Sequence, residues 1–295
     1  MMSKQEVLQS YLVEQRQHKN RALFWSILIA ILYIGSAQLI DFDFKTLIDA
    51  APHLFDYLSE IMPHLNWSKL FLPRNELGHA ISGSLIYWGY RLPIQLKLIW
   101  ETLNMAFAAT LCSAMISICL SFLCTKKIGI WAPIRLSLHL LAIFLRTMPE
   151  LAWAIMLVMA FGVGPFPGFL ALVLHTTGCM VKLYYEALDI TPQNAIIGLV
   201  STGANKLQLM RYAYWPSFKP TFTSYFFLRL EVNFRASSIL GIVGAGGIGQ
   251  ELMTNIKLDR YDQVSMTLLL ILVVVWLLDL ISAKLQAKIV QKGEI

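Results

Sequence analysis

Gly198-Leu-Val-Ser-Thr-Gly203-Ala-Asn-Lys-Leu-Gln-Leu-Met-Arg-Tyr-Ala-Tyr-Trp-Pro216 is a polar island between long apolar runs. Thr202-Gly203-Ala204-Asn205 reads as a turn, because Gly takes positive φ without steric cost and Asn tolerates it. A helical run ends near Ser201 and a second is expected from Lys206 to Tyr214, closed by Pro216, which cannot continue a helix. Two short helices about a Gly turn make a knob that fits a partner's groove. The plainer reading of the same residues is a loop between two membrane spans.

Outward from the island the chain is too apolar for one soluble domain. Of its 295 residues 57% are hydrophobic and only 14% charged, against about 25% in soluble domains. Six segments have membrane-crossing character: 22–40, 98–124, 131–161, 169–185, 220–243 and 264–283. The third is read as one long element with Arg146, Pro149 and Glu150 in its middle. A cleavable leader ending near Gly35-Ser-Ala37 is the alternative for the first. Residues 1–97 are set apart as an N-terminal segment, first span and outer region. Residues 98–295 hold five further spans. The net charge of +6 raises the question of nucleic acid, but the basic residues are dispersed along the chain. With the N-terminus inside, 13 Lys and Arg fall on the inner side and 7 on the outer. By the positive-inside rule, both termini and the polar island are then expected in the cytoplasm.

Four cysteines (Cys112, Cys119, Cys124, Cys179) form no C-x-x-C pair and read as small buried hydrophobes; no metal site is expected. Gly244-Ala-Gly246-Gly247-Ile-Gly249 matches the dinucleotide fingerprint G-x-G-x-x-G in letters only, since a membrane-length run precedes it where a short strand is required. Irregular backbone of this kind at membrane depth needs burial in protein or a water-filled space, so these four glycines are a candidate gate, with close helix packing as the alternative. Charges inside spans cost about 2.5–3.5 kcal/mol even on lenient scales and mark interiors or paths. Glu231 and Arg235, like Arg146 and Glu150, stand four apart and are expected to pair along a helix. That leaves Arg229 without a local partner and suited to an anion with several oxygens, with Asn233 and Ser237 as neutral donors beside it. The candidate substrate path is therefore Arg146, Arg229, Asn233, Arg235 and Ser237.

Gly203 followed thirteen residues later by Pro216 resembles the EAA loop of ABC importer inner-membrane subunits. Anchored on Gly203, that pattern puts Ile197, Gly198 and Leu199 at its Glu-Ala-Ala positions, Ala213 at its Ile and Trp215 at its Leu, so only the Gly and the Pro are kept. With Gly162-Val-Gly164-Pro165, His175-Thr-Thr-Gly178, Ser201 to Lys206, Arg229-Leu-Glu231-Val-Asn233-Phe-Arg235 and Gly241 to Gly249 in one order, residues 101–280 resemble the permease of a phosphonate ABC transporter.

The resemblance implies an all-α, type I importer permease of six spans with a cytoplasmic helix-turn-helix coupling loop, acting as a homodimer in the inner membrane. It implies two ATP-binding cassette subunits docked at Gly203, Ala204, Asn205, Lys206 and Pro216, a substrate-binding protein outside, and phosphonate or a related oxyanion as cargo. The chain has no G-x-x-x-x-G-K-[ST] loop, so ATP is expected on the partner and no cofactor here. A permease for another small substrate and an ion-coupled secondary carrier are the competing functions; a membrane-embedded enzyme would need a nucleophile and base at usable spacing.

Overall fold

The computed structural model describes residues 4–39, 43–63, 65–71, 81, 83–126, 131–190 and 193–293. Ile40, at the end of the first expected span, and Lys127, expected to stop the second, lie outside them. The described residues are helical, with no strand among them. Two compact units divide at Glu60, whereas the sequence reading sets its boundary at 97. The first unit holds α1 (Lys4–Leu39) and most of α2 (Phe44–Ile61), with Pro52 inside the latter.

The second unit contains α3 (Leu85–Trp88), α4 (Leu92–Cys124), α5 (Ala132–Thr147), α6 (Glu150–Phe161), α7 (Pro165–Asp189), α8 (Gln193–Ser201), α9 (Lys206–Leu209), α10 (Trp215–Leu240), α11 (Gly247–Lys257) and α12 (Tyr261–Gly293). Leu85–Cys124, α7 and Tyr261–Lys288 are long and apolar enough to cross a membrane, and α5 with α6 adds a fourth candidate. The remaining two of the six expected spans do not reach that standard among the described residues. α10 has the length but carries Arg229, Glu231 and Arg235 in its second half, and the first expected span runs past the described residues at Ile40.

Packing fixes the relative direction of these helices. A cluster of Phe122, Leu188, Tyr214 and Phe218 gathers the last turns of α4 and α7 with the first turn of α10. At the opposite end, the first turns of α4 and α12 meet: Gln95 donates to Thr267 Oγ1 at 2.9 Å, and Arg91 pairs with Glu251 of α11 at 3.2 Å. Ala154 of α6 packs with Ala171 and Leu172 in the first half of α7. Therefore α4, the α5–α6 pair, α7, α10 and α12 traverse the bundle alternately.

The α4–α7 contact shows how helices associate where hydrophobicity drives little. Ala106, Ala109, Thr110, Ser113, Ala114, Ser117 and Ser121 form a buried stripe at helical spacing, and small residues let the backbones approach. Ser113 and Ser117 donate to the Val173 and Thr177 carbonyls, each at 3.2 Å.

Two expectations are corrected. The segment 131–161 is not one element: the chain bends by 87° between α5 and α6 at Met148-Pro149. The residue before a proline is driven to extended backbone, and Met148 has φ −70°, ψ 124°. Arg146 and Glu150 are thus on different helices and do not pair; Glu150 meets His175 instead, at 3.5 Å. Nor does Pro216 close a helix. Helical backbone runs from Lys206 through a π turn (Met210–Tyr214) into α10, so that helix begins at Trp215 rather than at Pro220. The Trp215 amide bonds to the Met210 carbonyl five residues back, and this wider turn accommodates a ring that would otherwise crowd the preceding turn.

Candidate functional site

Three parts of the second unit carry candidate residues. At one end, α8 leads into a turn in which Gly203 has φ +80°. Asn205 then caps α9: its Oδ1 accepts from the Gln208 amide at 2.9 Å, while Gln208 Oε1 accepts from the Asn205 amide at 2.8 Å. This reciprocal cap satisfies two donors that a helix start leaves open. Gly203, Asn205, Lys206 and Pro216 are exposed and Ala204 is half-buried, whereas Ala213 and Tyr214 are buried. Burial, followed by the nearby Asp189 carboxylate, raises the Tyr214 phenol above its ordinary range, so it remains a neutral packing group. The segment is a supported knob with a solvent-facing tip. Glu186 belongs to α7 and pairs with Lys182 at 3.6 Å.

At mid-depth, one turn of α7 touches four other helices. His175 Nδ1 meets the Met148 carbonyl at 3.0 Å and its Nε2 faces Glu150, so the imidazole braces the α5–α6 break. Thr176 donates to Asn233 Oδ1 at 2.7 Å, and Asn233 Nδ2 donates to Thr110 Oγ1 at 2.8 Å, tying α4, α7 and α10 together. Ser117 of α4 reaches the Thr177 carbonyl. Gly178 lies against the α5 backbone at Ala142 and Arg146.

The expected path residues separate here into three settings. Asn233 and Ser237 are buried, and their polar groups are engaged by protein, Ser237 donating to the Phe234 carbonyl at 2.8 Å. Arg235 pairs with Glu231 at 3.2 Å, its side chain 53% exposed. Arg146 and Arg229 have no hydrogen-bond or ion-pair partner among the described residues, and the Nε of each is buried. The contact of Gly178 with the Arg146 backbone and the bond from Thr176 to Asn233, one turn from Arg229, bring both residues to the level of Cys179 on α7. His175 is the residue that reading the sequence for charge passes over. Its signal was a polar residue midway along an apolar run.

At the far end, a 3-10 turn (Gly241–Val243) leads into the glycine corner. Gly244, Gly246 and Gly247 have positive φ. The Gly164 amide donates to the Gly244 carbonyl at 2.9 Å, and the Ile248 amide to Thr102 Oγ1 at 2.9 Å. Gly249 lies against the Ser238 carbonyl, with no room for a side chain. The corner is therefore a tightly packed junction of α4, α7, α10 and α11.

Apolar helices crossing one bundle in alternating directions, with unpaired cations at mid-depth and an exposed helical knob at one end, define a polytopic integral membrane subunit. Residues 128–292 match the family described as binding-protein-dependent transport system inner membrane component, and the chain belongs to that family. It is similar to the phosphite transport system permease protein PtxC of Stutzerimonas stutzeri, at 30% identity over 97% of this chain and 98% of that one. It is also similar to the putative cryptic phosphonate transport system permease protein PhnE2 of Escherichia coli K12, at 40% identity over 40% of this chain and 96% of that one. Its fold is similar to that of a chain in an inward-facing structure of the MetNI methionine ABC transporter: TM-score 0.61, 19% identity, 68% of this chain and 98% of the other.

Proposed function

We propose that this chain is the translocation subunit of an ATP-driven importer for a phosphorus oxyanion, phosphonate or phosphite, and that two copies of it form the path. The observation that carries this reading is the similarity along almost the whole chain to a phosphite transport permease. Two ATP-binding cassette subunits dock on the Gly203 knob from the cytoplasm, and a periplasmic or surface substrate-binding protein delivers cargo at the opposite end. ATP is held by those partners; this chain supplies no catalytic group and binds no cofactor. Both termini face the cytoplasm, as the excess of basic residues on that side favours.

Closure of the ATPase subunits moves α8 and α9. Because α9 continues into α10, that motion reaches the centre of the bundle as a rigid-body displacement, the form of alternating access in which elements rock about a fixed site. The packed Gly244, Gly246, Gly247 and Gly249 corner gates by travelling with α10 and α11 as one body. Arg146 and Arg229 supply the positive charge of the path, while Asn233 and Ser237 hold its wall.

The test is uptake of phosphite, methylphosphonate, phosphate and sulfate by cells expressing the whole transporter, beside cells whose ATPase subunit cannot hydrolyse ATP. Uptake of at least one phosphorus oxyanion that stops in the second strain is the expected result. Uptake that continues without hydrolysis would assign the chain to ion-coupled carriers. Accumulation of none of the phosphorus compounds would overturn the cargo.

A further inference from the structure

We infer that Arg146 and Arg229 form an oxyanion-binding site halfway through the bundle, with the Cys179 thiol on its wall and His175 beside it. The inference rests on the importer reading for the identity of the anion, and on geometry alone for its charge.

Neighbouring contacts locate Arg229. On α10, Asn233 lies one turn after it and Tyr225 one turn before, on the same face. Asn233 is bonded to Thr176 of α7, and the Tyr225 ring is 6.4 Å from that of Tyr184 of α7. Arg229 therefore meets α7 between those levels, where Cys179 stands. From α5, Arg146 arrives at the same level, since its backbone lies against Gly178. His175 is one turn from Cys179, and its Nε2 is 3.5 Å from the Sγ. Three helices thus bring two guanidinium groups and an imidazole to one level.

Two features make this a site and not a structural charge cluster. A buried guanidinium N–H in a finished structural network is filled, because a desolvated donor left open is costly. Here the Nε of each Arg is buried and open. The charges also do not cancel: two guanidinium groups stand with one carboxylate, Glu150, which lies against His175, so the group is cationic whichever form the imidazole takes. By contrast Arg235 and Glu231 neutralise each other. A tetrahedral oxyanion with one or two negative charges supplies the missing acceptors and the missing charge together, and forked guanidinium donors match its edges.

Cys179 makes the site testable without transport. In the complete transporter in liposomes, its modification is followed by mass spectrometry with two methanethiosulfonates of similar size, one bearing a sulfonate and one a trimethylammonium group. The thiolate attacks the reagent's sulfenyl sulfur, a mixed disulfide forms and methanesulfinate leaves. The anionic reagent should react faster by about tenfold, the scale on which a focused positive field enriches anions. Arg229→Gln and Arg146→Gln should each bring the ratio towards one, Arg229→Lys should keep most of it, and Arg235→Gln should leave it unchanged. Phosphite, or sulfate as a tetrahedral control, should slow labelling. Equal rates for the two reagents, a ratio that collapses in Arg235→Gln but not in Arg229→Gln, or no protection by any oxyanion would overturn the site. Absence of phosphite uptake by the wild-type transporter would instead remove the importer reading, and the charge preference would still report on the site.

Discussion

The Cα of Gly178 stands so close to α5 that a methyl group placed on it would come within 2.6 Å of the Arg146 backbone nitrogen and 2.8 Å of the Ala142 carbonyl oxygen. Neither atom belongs to a side chain that can turn away. Gly178→Ala should therefore push α5 off α7 at the level of Arg146, at a cost of about 1–3 kcal/mol, the usual range for overpacking. The expected outcome is a lower thermal midpoint of the purified complex in detergent. Gly198→Ala, where nothing lies within 4 Å, is the matched control. Equal midpoints for the two variants would show that the α5–α7 contact yields.

Asn233 joins three helices through two hydrogen bonds that the protein interior shields from water. Thr176→Val keeps the shape of the side chain but leaves Asn233 Oδ1 with no donor, which costs about 1–3 kcal/mol for a buried polar atom. Reduced thermal stability is expected, with insertion in the membrane retained. A Thr176→Ser variant preserves the hydroxyl and should recover most of the loss. Should Ser and Val behave alike, the bond contributes nothing and the methyl group is what matters.

Gly203 sits at φ +80° with open space about it, so a side chain there meets no steric clash. A β-branched residue is opposed by backbone conformation alone, at about 1–2 kcal/mol for a left-handed position. Gly203→Val should lower copurification of the ATPase subunits or uncouple hydrolysis from uptake. Gly203→Asn should perform better than Val, because Asn tolerates that region. Full coupling in the Val variant would dissociate the knob from the ATPase.

Reading the sequence alone, loss of Arg235 looks costly, because it would strand Glu231 in a dry site. The structure lowers that expectation. With side chains 53% and 19% exposed, the pair is screened, and partly exposed ion pairs contribute about 0–1 kcal/mol. Arg235→Gln should express and assemble nearly as the wild type. Adding Glu231→Gln should change assembly little in either the Arg235 or the Arg229 background. Strong rescue of an Arg229 variant by Glu231→Gln would mean that Arg229 was the partnered residue.

What local chemistry controls was legible in the chain. The turn at Gly203 follows from residue types within four positions of each other, although Asn205, read as part of that turn, has φ −77° and caps α9. The spacing of Glu231 and Arg235 is likewise a property of one helix. What failed depended on backbone continuity or on other helices. The Arg146–Glu150 pairing assumed an unbroken helix through Met148-Pro149, and the brace that makes the break possible, His175, is 25 residues further on. Pro216 was taken as a stop because a π turn five residues long leaves no mark in composition. The Ala, Ser and Thr stripe of α4 was visible as small residues, but its partner on α7 lies some 60 positions away.

Helical backbone without a break from Lys206 to Leu240 makes the π turn more than a local irregularity. At 1.5 Å per residue, Lys206 is about 40 Å from Asn233 along this rod. Asn233 is where the rod is held by Thr110 and Thr176, so it is the fulcrum. A tilt of about 5° there sweeps the knob through roughly 3–4 Å, a stroke on the scale of helix shifts in switching proteins. The long arm points to the knob and the short arm, about seven residues, ends at the glycine corner. Leverage is therefore unequal: a large movement at the knob becomes a small and forceful one at the glycine corner, where tight packing resists displacement most.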